Sequence, residues 1–130
     1  MIVLDASALI DVVLDQPSTP WVLTHLESDR ILAPGHQLAE VLSALARLVR
    51  SETISPSVAT EAMTEAQALE QDHRAPSRDH LLRALDLQAR VRVLDGLYVA
   101  LAEEQRVPLV TTDGRLARMN LPIEVLAPGP

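Results

Sequence analysis

Short apolar runs that alternate with helix-type patterns constrain the fold of this 130-residue chain more than any other feature. Ile2–Leu4 is a short, β-rich apolar run, which predicts a buried strand. The segments 30–33, 107–111 and 123–126 predict three further strands, and a break at 73–77 leaves room for one more short strand. Strands separated by helices indicate βαβ units around a parallel sheet. We therefore predict a three-layer α/β/α sandwich with a mainly parallel sheet of four or five strands.

Helical periodicity fills the segments between these strands. The clearest helix repeats leucine and valine at helical spacing from Leu38 to Val49. Thr19-Pro20 and Ser55-Pro56 each place a proline at a first helical position, which predicts helices over Thr19–Glu27 and Ser55–Leu69. Apolar residues at helical spacing mark the remaining helices, which cover Ser7–Leu14, Leu81–Ala89, Leu94–Gln105 and Asp113–Met119.

Two residue types are missing, and their absence removes whole classes of chemistry. The chain has no cysteine, and all 11 of its basic residues are arginine. Thiol nucleophiles, disulfides and cysteine-ligated zinc are therefore excluded. Lysine Schiff bases, phosphate-loop lysines and aspartyl-phosphate receivers are excluded as well. Trp21 and Tyr98 are the only aromatic residues, which argues against a base-stacking nucleic-acid module.

The charge balance is acidic, with 18 acidic against 11 basic residues and a net charge of −7. This balance argues against a broadly basic nucleic-acid surface, but it is compatible with an acidic site that meets phosphate through cations. The chain opens with Met-Ile-Val-Leu-Asp, which lacks the basic and apolar regions of a signal peptide. No apolar run approaches the length of a membrane span. We expect a cytoplasmic protein with no membrane partner.

Four acidic residues fall at the ends of predicted elements. Asp5 follows the first strand, Asp113 follows the strand at 107–111, and Glu40 and Asp95 lie in the first turns of helices. Each could be an ordinary helix cap or first-turn acid. In a parallel sheet, however, functional groups gather at the carboxyl ends of the strands. Carboxylates crowded there repel one another unless a cation intervenes, and this indicates metal-assisted phosphodiester hydrolysis.

The order of these motifs resembles that of the PIN-domain ribonucleases, and most of all the VapC-type toxins of prokaryotic toxin–antitoxin pairs. The matching segments are Ile-Val-Leu-Asp5-Ala-Ser7, Glu40-Val-Leu-Ser-Ala-Leu, Asp95-Gly-Leu-Tyr-Val-Ala-Leu-Ala-Glu and Leu-Val-Thr-Thr-Asp113. The resemblance covers essentially the whole chain, and the part from Asp95 to Asp113 is the most specific. Gly96 departs from the family, in which alanine is commoner at this position.

The resemblance implies a single PIN-like nuclease domain over residues 1–130. It implies that the acidic metal-binding and catalytic set consists of Asp5, Glu40, Asp95 and Asp113. It further implies an endoribonuclease that depends on Mg²⁺ or Mn²⁺, with RNA as substrate and an antitoxin as inhibitory partner. Two alternatives stay open: a PIN nuclease outside toxin systems, acting in RNA processing or on DNA, and a non-catalytic PIN-like binding module.

Other residues near the acids receive supporting roles. Ser7 and Thr111 are candidates to orient a carboxylate or a metal-bound water, although such hydroxyls also satisfy nearby backbone groups. His36, four residues before Glu40, is predicted to face solvent. Four arginines flank the acidic motifs and are candidates to grip RNA phosphates, or else lie on solvated helix faces. These arginines are Arg90, Arg92, Arg115 and Arg118.

Apolar helix faces predict association. The leucine- and alanine-rich faces of the Thr19–Glu27 and Ser55–Leu69 helices exceed what one small core requires. Apolar surface of this kind marks contacts with other chains. We therefore predict a homodimer, with an antitoxin segment docking nearby.

Overall fold

The computed structural model describes residues 1–27 and 30–129, which alternate strands and helices along the chain. The elements are β1 (Ile2–Leu4), α1 (Ala6–Val13), α2 (Thr19–Leu26), β2 (Ile31–Pro34), α3 (Gln37–Arg50), α4 (Pro56–Ala68), β3 (Asp72–Arg74), α5 (Arg78–Asp86), α6 (Val93–Gln105), β4 (Leu109–Val110), α7 (Gly114–Arg118) and β5 (Val125–Leu126). The five strands pair in parallel in the order β3-β2-β1-β4-β5. The predicted α/β architecture with a parallel sheet is confirmed.

The strand β1 lies at the centre of the sheet, and later strands are added first on one side of it and then on the other. On one side β1 pairs with β2, so that Val3 lies beside Leu32, and on the other side Val3 lies beside Leu109 of β4. The chain first builds β2 and β3 on one side and then returns to build β4 and β5 on the other. Such a reversal opens a crevice at the carboxyl ends of the two strands that flank it. Residues that follow β1 and β4 therefore meet in this crevice.

Helices cover both faces of the sheet. The helix α1 packs against α2, α3 and α4, whereas α6 packs against β1, β2 and β4 and carries α5 on its outer side. The strand residues Val3 and Leu4 are fully buried, and so is Tyr98 of α6. Right-handed crossovers from a central strand place the two helix groups on opposite faces. The result is the expected three-layer sandwich.

The helix α5 begins and ends earlier in the chain than predicted, and its leucines face solvent. It begins before the predicted segment at 81–89, because Ser77 and His80 form a reciprocal cap in which Ser77 Oγ accepts from the His80 N–H and His80 Nδ1 accepts from the Ser77 N–H, each at 3.1 Å. The leucines that mark the helix in the sequence, Leu81, Leu82 and Leu85, are exposed. These leucines mark the helix as predicted, but they do not pack into the core.

Small residues at the contact between α5 and α6 explain this orientation. A Cβ atom placed on Gly96 of α6 would lie 3.0 Å from the Cα of Ala84 in α5, closer than side chains ordinarily approach. The two helices therefore meet through Ala84 and Gly96, both of which are buried. Leucine side chains do not fit at so close a contact, and those of α5 point outward instead.

Two strands are shorter than predicted. The run at 107–111 forms a strand only at Leu109–Val110, and the run at 123–126 only at Val125–Leu126. Pro108 has no N–H to donate, although its carbonyl accepts from the Val3 N–H at 2.9 Å. Within residues 1–27 and 30–129, no helix is both long and apolar enough to cross a membrane.

Candidate active site

Asp5 lies at the crevice, directly after β1, and is only 5% exposed. It stands at the N-cap position of α1, but its carboxylate makes no cap hydrogen bond. Instead Oδ2 accepts from the Ser7 hydroxyl at 2.6 Å and from the Thr111 hydroxyl at 2.7 Å. Burial raises the pKa of Asp5 and the charges of Asp95 and Glu40 add to the rise, while the two hydroxyl donors offset part of it. The plain helix-cap explanation of this acid therefore fails.

A network of hydroxyl groups joins the ends of β1 and β4. Ser7 Oγ lies 3.1 Å from Thr111 Oγ1, and the Thr112 N–H donates to Ser7 Oγ at 3.1 Å. The Asp113 N–H donates to Thr111 Oγ1 at 3.0 Å. Because Thr111 is fully buried, its hydroxyl is fixed between these groups. The two hydroxyl residues proposed from the sequence as helpers are thus in direct contact with the Asp5 carboxylate.

Asp113 follows β4, as Asp5 follows β1, but its surroundings are different. Its Oδ1 accepts from the Arg115 N–H at 2.9 Å and caps α7, and its Oδ2 lies 2.7 Å from the Arg115 guanidinium. Partial burial acts to raise the pKa of Asp113, but the bonds from Arg115 outweigh it and hold the pKa below its usual range. Asp113 is therefore ionised and paired with a cation.

Asp95 lies in the first turn of α6 and is 5% exposed. Two arginine side chains lie close to its carboxylate. Its Oδ2 is 3.2 Å from Arg92 Nε and 3.9 Å from Arg115 Nη2. Arg92 and Arg115 therefore contact the acids directly and do not merely flank them along the sequence. Arg90 and Arg118 are exposed and take part in no ion pair within the described part of the chain.

Glu40 reaches the same edge of the sheet from the first turn of α3. Its Oε1 accepts from the Tyr98 hydroxyl at 2.7 Å and lies 3.1 Å from His36 Nε2. Burial acts to raise the pKa of Glu40, but the contacts with His36 and Tyr98 outweigh it and lower the pKa. The side chain of His36 is 20% exposed, and its ring packs edge-on against Tyr98 at 5.2 Å. The prediction that His36 faces solvent was wrong.

Tyr98 is the functional neighbour that the sequence analysis missed, because its position on the apolar side of α6 is that of a core residue. Burial raises the pKa of Tyr98, and the charges of Glu40 and Asp5 raise it further, so the hydroxyl stays protonated and can donate. A usable signal was present in the spacing. Tyr98 lies three residues after Asp95, and His36 lies four before Glu40, so each shares a helix face with an acid.

Three of the four acids interact electrostatically across the crevice, and Asp113 is linked to them through Arg115. Asp5 senses the charges of Asp95 and Glu40, and the Arg115 guanidinium lies within 4 Å of both Asp95 and Asp113. Within residues 1–27 and 30–129, no three histidine or carboxylate side chains stand close enough to enclose an ion by themselves. Mg²⁺ usually binds through only one or two carboxylates and completes its shell with water and phosphate oxygens. The chemistry of this donor set therefore fits a divalent cation that also contacts a phosphate.

Comparison with known sequences places the chain in a family. The model of the PIN domain matches residues 2–121. Ribonuclease VapC12 of Mycobacterium tuberculosis is 38% identical over 130 residues, which cover 98% of this chain and 100% of that protein. Ribonuclease VapC3 of the same organism is 39% identical over 125 residues, which cover 90% of this chain and 85% of the relative. The chain belongs to the PIN domain family.

Solved structures share the fold at much lower sequence identity. VapC20 of Mycobacterium tuberculosis, described as a sarcin–ricin loop cleaving toxin, superposes with a TM-score of 0.69 at 14% identity over 95% of this chain and 99% of that one. VapBC2 of Rickettsia felis, bound to a DNA fragment from its promoter, gives 0.69 at 13% identity over 98% of both chains. These structures confirm the PIN-like fold.

Proposed function

We propose that this chain is a metal-dependent endoribonuclease, the toxin of a toxin–antitoxin pair, which hydrolyses RNA phosphodiesters with water. One observation carries the proposal: the Asp5 carboxylate is buried at the crevice, next to Glu40 and Asp95, and is held by two hydroxyl groups. Within the described residues, Asp5 neither caps its helix nor joins an ion pair. Burying a carboxylate without a paired cation is unfavourable, and such groups concentrate at functional sites.

The roles of the residues follow from their contacts. Asp5, Asp95 and Asp113 would hold the ion or ions, directly or through bound water, and Glu40 would either complete the ligand set or orient and deprotonate the attacking water. Ser7 and Thr111 both bond Oδ2 of Asp5 and so fix the direction of its carboxylate. Mg²⁺ or Mn²⁺ held by these residues would supply activation of the water and stabilisation of the leaving oxygen. The absence of cysteine and lysine supports attack by water over a covalent protein intermediate.

The arginines divide into two pairs with different proposed tasks. Arg90 and Arg118 are exposed cations that can bind RNA phosphates away from the reaction centre. Arg92 and Arg115 contact the acids and can reach the phosphate that approaches them. An RNA substrate also accords with the cytoplasmic location expected from the sequence.

A groove between α3 and α4 is our proposed antitoxin site. Two of the structural neighbours are a VapBC assembly and a toxin–antitoxin complex from Klebsiella pneumoniae, the latter with a TM-score of 0.67. In this chain an open, mainly apolar cavity of about 330 Å³ lies along α3 and α4. Its lining includes Leu42, Leu45, Ala46, Ala59 and Met63. A groove of this kind suits an amphipathic helix of a partner.

The proposed homodimer has a better candidate surface than the helices named from the sequence. The α2 and α4 helices each expose one large apolar side chain, Leu23 and Val58 respectively. A larger set lies on α5 and at the start of α6, and consists of Leu81, Leu82, Leu85, Val93 and Leu94. We propose that a second copy covers this set. Light scattering that finds only monomers at micromolar concentration would remove the dimer from the account.

The proposed activity is tested with purified, antitoxin-free protein and total RNA. Cleavage should appear with Mg²⁺ or Mn²⁺, disappear with chelator and return when metal is added back. Asp5→Ala should abolish it. Glu61→Ala, which removes an exposed acid on α4, is the matched control and should cleave like the unaltered chain. Equal cleavage by Asp5→Ala would show that the activity is a contaminant, and cleavage that survives chelator would exclude the proposed mechanism.

A further inference from the structure

Glu40 differs from the other three acids in how its carboxylate is held. It belongs to a helix on one face of the sheet, whereas its hydrogen-bond donor, Tyr98, belongs to α6 on the other face. The Tyr98 hydroxyl donates to Oε1 at 2.7 Å. A glutamate side chain is flexible, and fixing it costs conformational entropy. The donor therefore decides where this carboxylate stands.

Tyr98 is well suited to fix another group. Its side chain is completely buried in the hydrophobic core, so the ring cannot move without repacking that core. It follows Asp95 by three residues on the same helix, which places it on the same face as that acid. The backbone of Ala6, the residue after Asp5, also interacts with the Tyr98 hydroxyl. One rigid side chain thus connects the positions of three acids.

The contacts to Glu40 also select one of its two oxygens. The Tyr98 hydroxyl donates to Oε1 and the His36 Nε2 lies 3.1 Å from the same oxygen, whereas Oε2 accepts no hydrogen bond from either residue in the described part of the chain. From this geometry we propose that Tyr98 is a positioning residue that locks the Glu40 carboxylate through Oε1 and reserves Oε2 for the ion or its water. The inference rests on the proposed function, because it assigns a task within the same site.

The first test measures binding of Mn²⁺ alone by titration calorimetry. Tyr98→Phe keeps the ring and removes only the hydroxyl, and should weaken Mn²⁺ binding by roughly 10-fold or more, the range for groups that orient a metal ligand. The kcat for RNA cleavage should fall while KM stays unchanged. The matched control is Thr19→Val, which removes another buried hydroxyl, one that donates to the Asp11 carbonyl at 3.0 Å. It should leave both quantities unchanged.

A double-variant cycle separates positioning from simple packing. If Tyr98 acts through Glu40, then Tyr98→Phe in a Glu40→Gln background should cost less than about twofold in additional Mn²⁺ affinity. If Glu40→Gln weakens Mn²⁺ binding but Tyr98→Phe does not, the Tyr98 hydroxyl does not position Glu40. Tyr98 would then serve only to pack the core, and the inference would be overturned. Equal binding by the unaltered chain and Asp5→Asn would instead overturn the proposed metal site and the inference with it.

A spectroscopic measurement on the folded, unaltered chain covers the case in which Tyr98→Phe does not fold. Tyr98 is the only tyrosine, so a tyrosine signal in the ultraviolet difference spectrum reports on this ring alone. Adding Mg²⁺ should change that signal in the unaltered chain and change it much less in Glu40→Gln. Identical tyrosine difference spectra for the two proteins would contradict a link between Tyr98, Glu40 and the ion.

Discussion

Asp5 and Asp113 occupy equivalent places at the ends of two neighbouring strands, yet their burial, their partners and the directions of their pKa shifts are opposite. Asp5 is buried, does not cap its helix and receives neutral hydroxyl donors, and its pKa is raised. Asp113 is more exposed, caps its helix and is paired with Arg115, and its pKa is lowered. An acid that already has a cap and a cation has its charge satisfied within the protein. An acid that has neither has its charge left to be satisfied by a ligand.

The same division extends to the other two acids. Glu40 receives the neutral hydroxyl of Tyr98, although His36 also lies close to it, whereas Asp95 lies beside two arginines. Asp5 and Glu40 therefore accept from hydroxyl groups, with the His36 ring also beside Glu40, whereas Asp95 and Asp113 contact guanidinium groups. Hydroxyl donors orient a carboxylate and leave its charge uncompensated, while arginines neutralise it and offer spare N–H groups to a phosphate. The uncompensated charge of Asp5 favours an ion at this carboxylate, while Arg92 and Arg115 can bind a substrate phosphate beside Asp95 and Asp113, which would share the same ion or ions.

The largest expected effect is on catalysis. Asp5→Asn keeps the size of the side chain and an oxygen that can accept from the two hydroxyls, but it removes the charge. Single-turnover RNA cleavage with saturating Mg²⁺ should fall by more than about 100-fold, beyond what loss of a supporting group produces. Asp113→Asn should cost less, because the charge of Asp113 is already shared with Arg115 and asparagine keeps the helix cap. A larger loss for Asp113→Asn would reverse the comparison.

The next effect is on stability, and the two substitutions should have opposite signs in metal-free buffer at neutral pH. Because the folded-state pKa of Asp5 is raised, its charge destabilises the native state above that pKa, and the penalty vanishes below the unfolded value near 3.8. Asp5→Asn should therefore raise stability at neutral pH, and the gain should disappear on acidification. Urea unfolding across a pH series measures this. Lower stability of Asp5→Asn at neutral pH would show that its charge is already compensated.

For Asp113 the sign is reversed. Its pKa is lowered in the folded state, so its charge contributes stability above the unfolded value near 3.8, and this contribution is lost as the pH falls through the folded-state pKa. Asp113→Asn should lower stability at neutral pH by about 0.2–1 kcal/mol, the usual range for a partly exposed ion pair. The same urea series provides the measurement, and a stabilised Asp113→Asn would remove the contrast between the two strand ends.

The smallest effect concerns the arginines. Arg115→Gln should raise KM for RNA a few-fold and reduce the slope of log affinity against log salt by about one phosphate contact. Arg118→Gln, on the same short helix and outside the acid cluster, should change the salt slope with little change in Mn²⁺ affinity. Salt-dependent RNA binding in the presence of Ca²⁺ checks both variants. An unchanged salt slope for Arg115→Gln would show that Arg115 contacts no RNA phosphate and only pairs with the acids.

The sequence was sufficient to predict the architecture, because alternating strand and helix patterns leave few topologies open. It also pointed to the edge of the sheet at which Asp5 and Asp113 lie. It could not distinguish the two acids, since burial and the choice of partner depend on contacts across the fold, such as that between Thr111 and Asp5, 106 positions apart. The outward direction of the leucines of α5 could not be predicted from the sequence for the same reason. Their orientation depends on the close approach of Gly96 to Ala84, which periodicity within one helix does not reveal.

The most direct test of a cation site at this edge is the change in unfolding temperature on adding Mn²⁺ to metal-free protein. An ion that binds only the native state raises the free energy of unfolding by an amount that grows with the logarithm of its concentration relative to Kd. The unaltered chain should gain stability, and the Asp5→Asn, Asp95→Asn double variant should lose most of that gain. A control double variant, Glu61→Gln with Glu65→Gln, removes two exposed acids from α4 and should respond like the unaltered chain. Equal stabilisation of all three proteins would contradict a metal site formed by these acids.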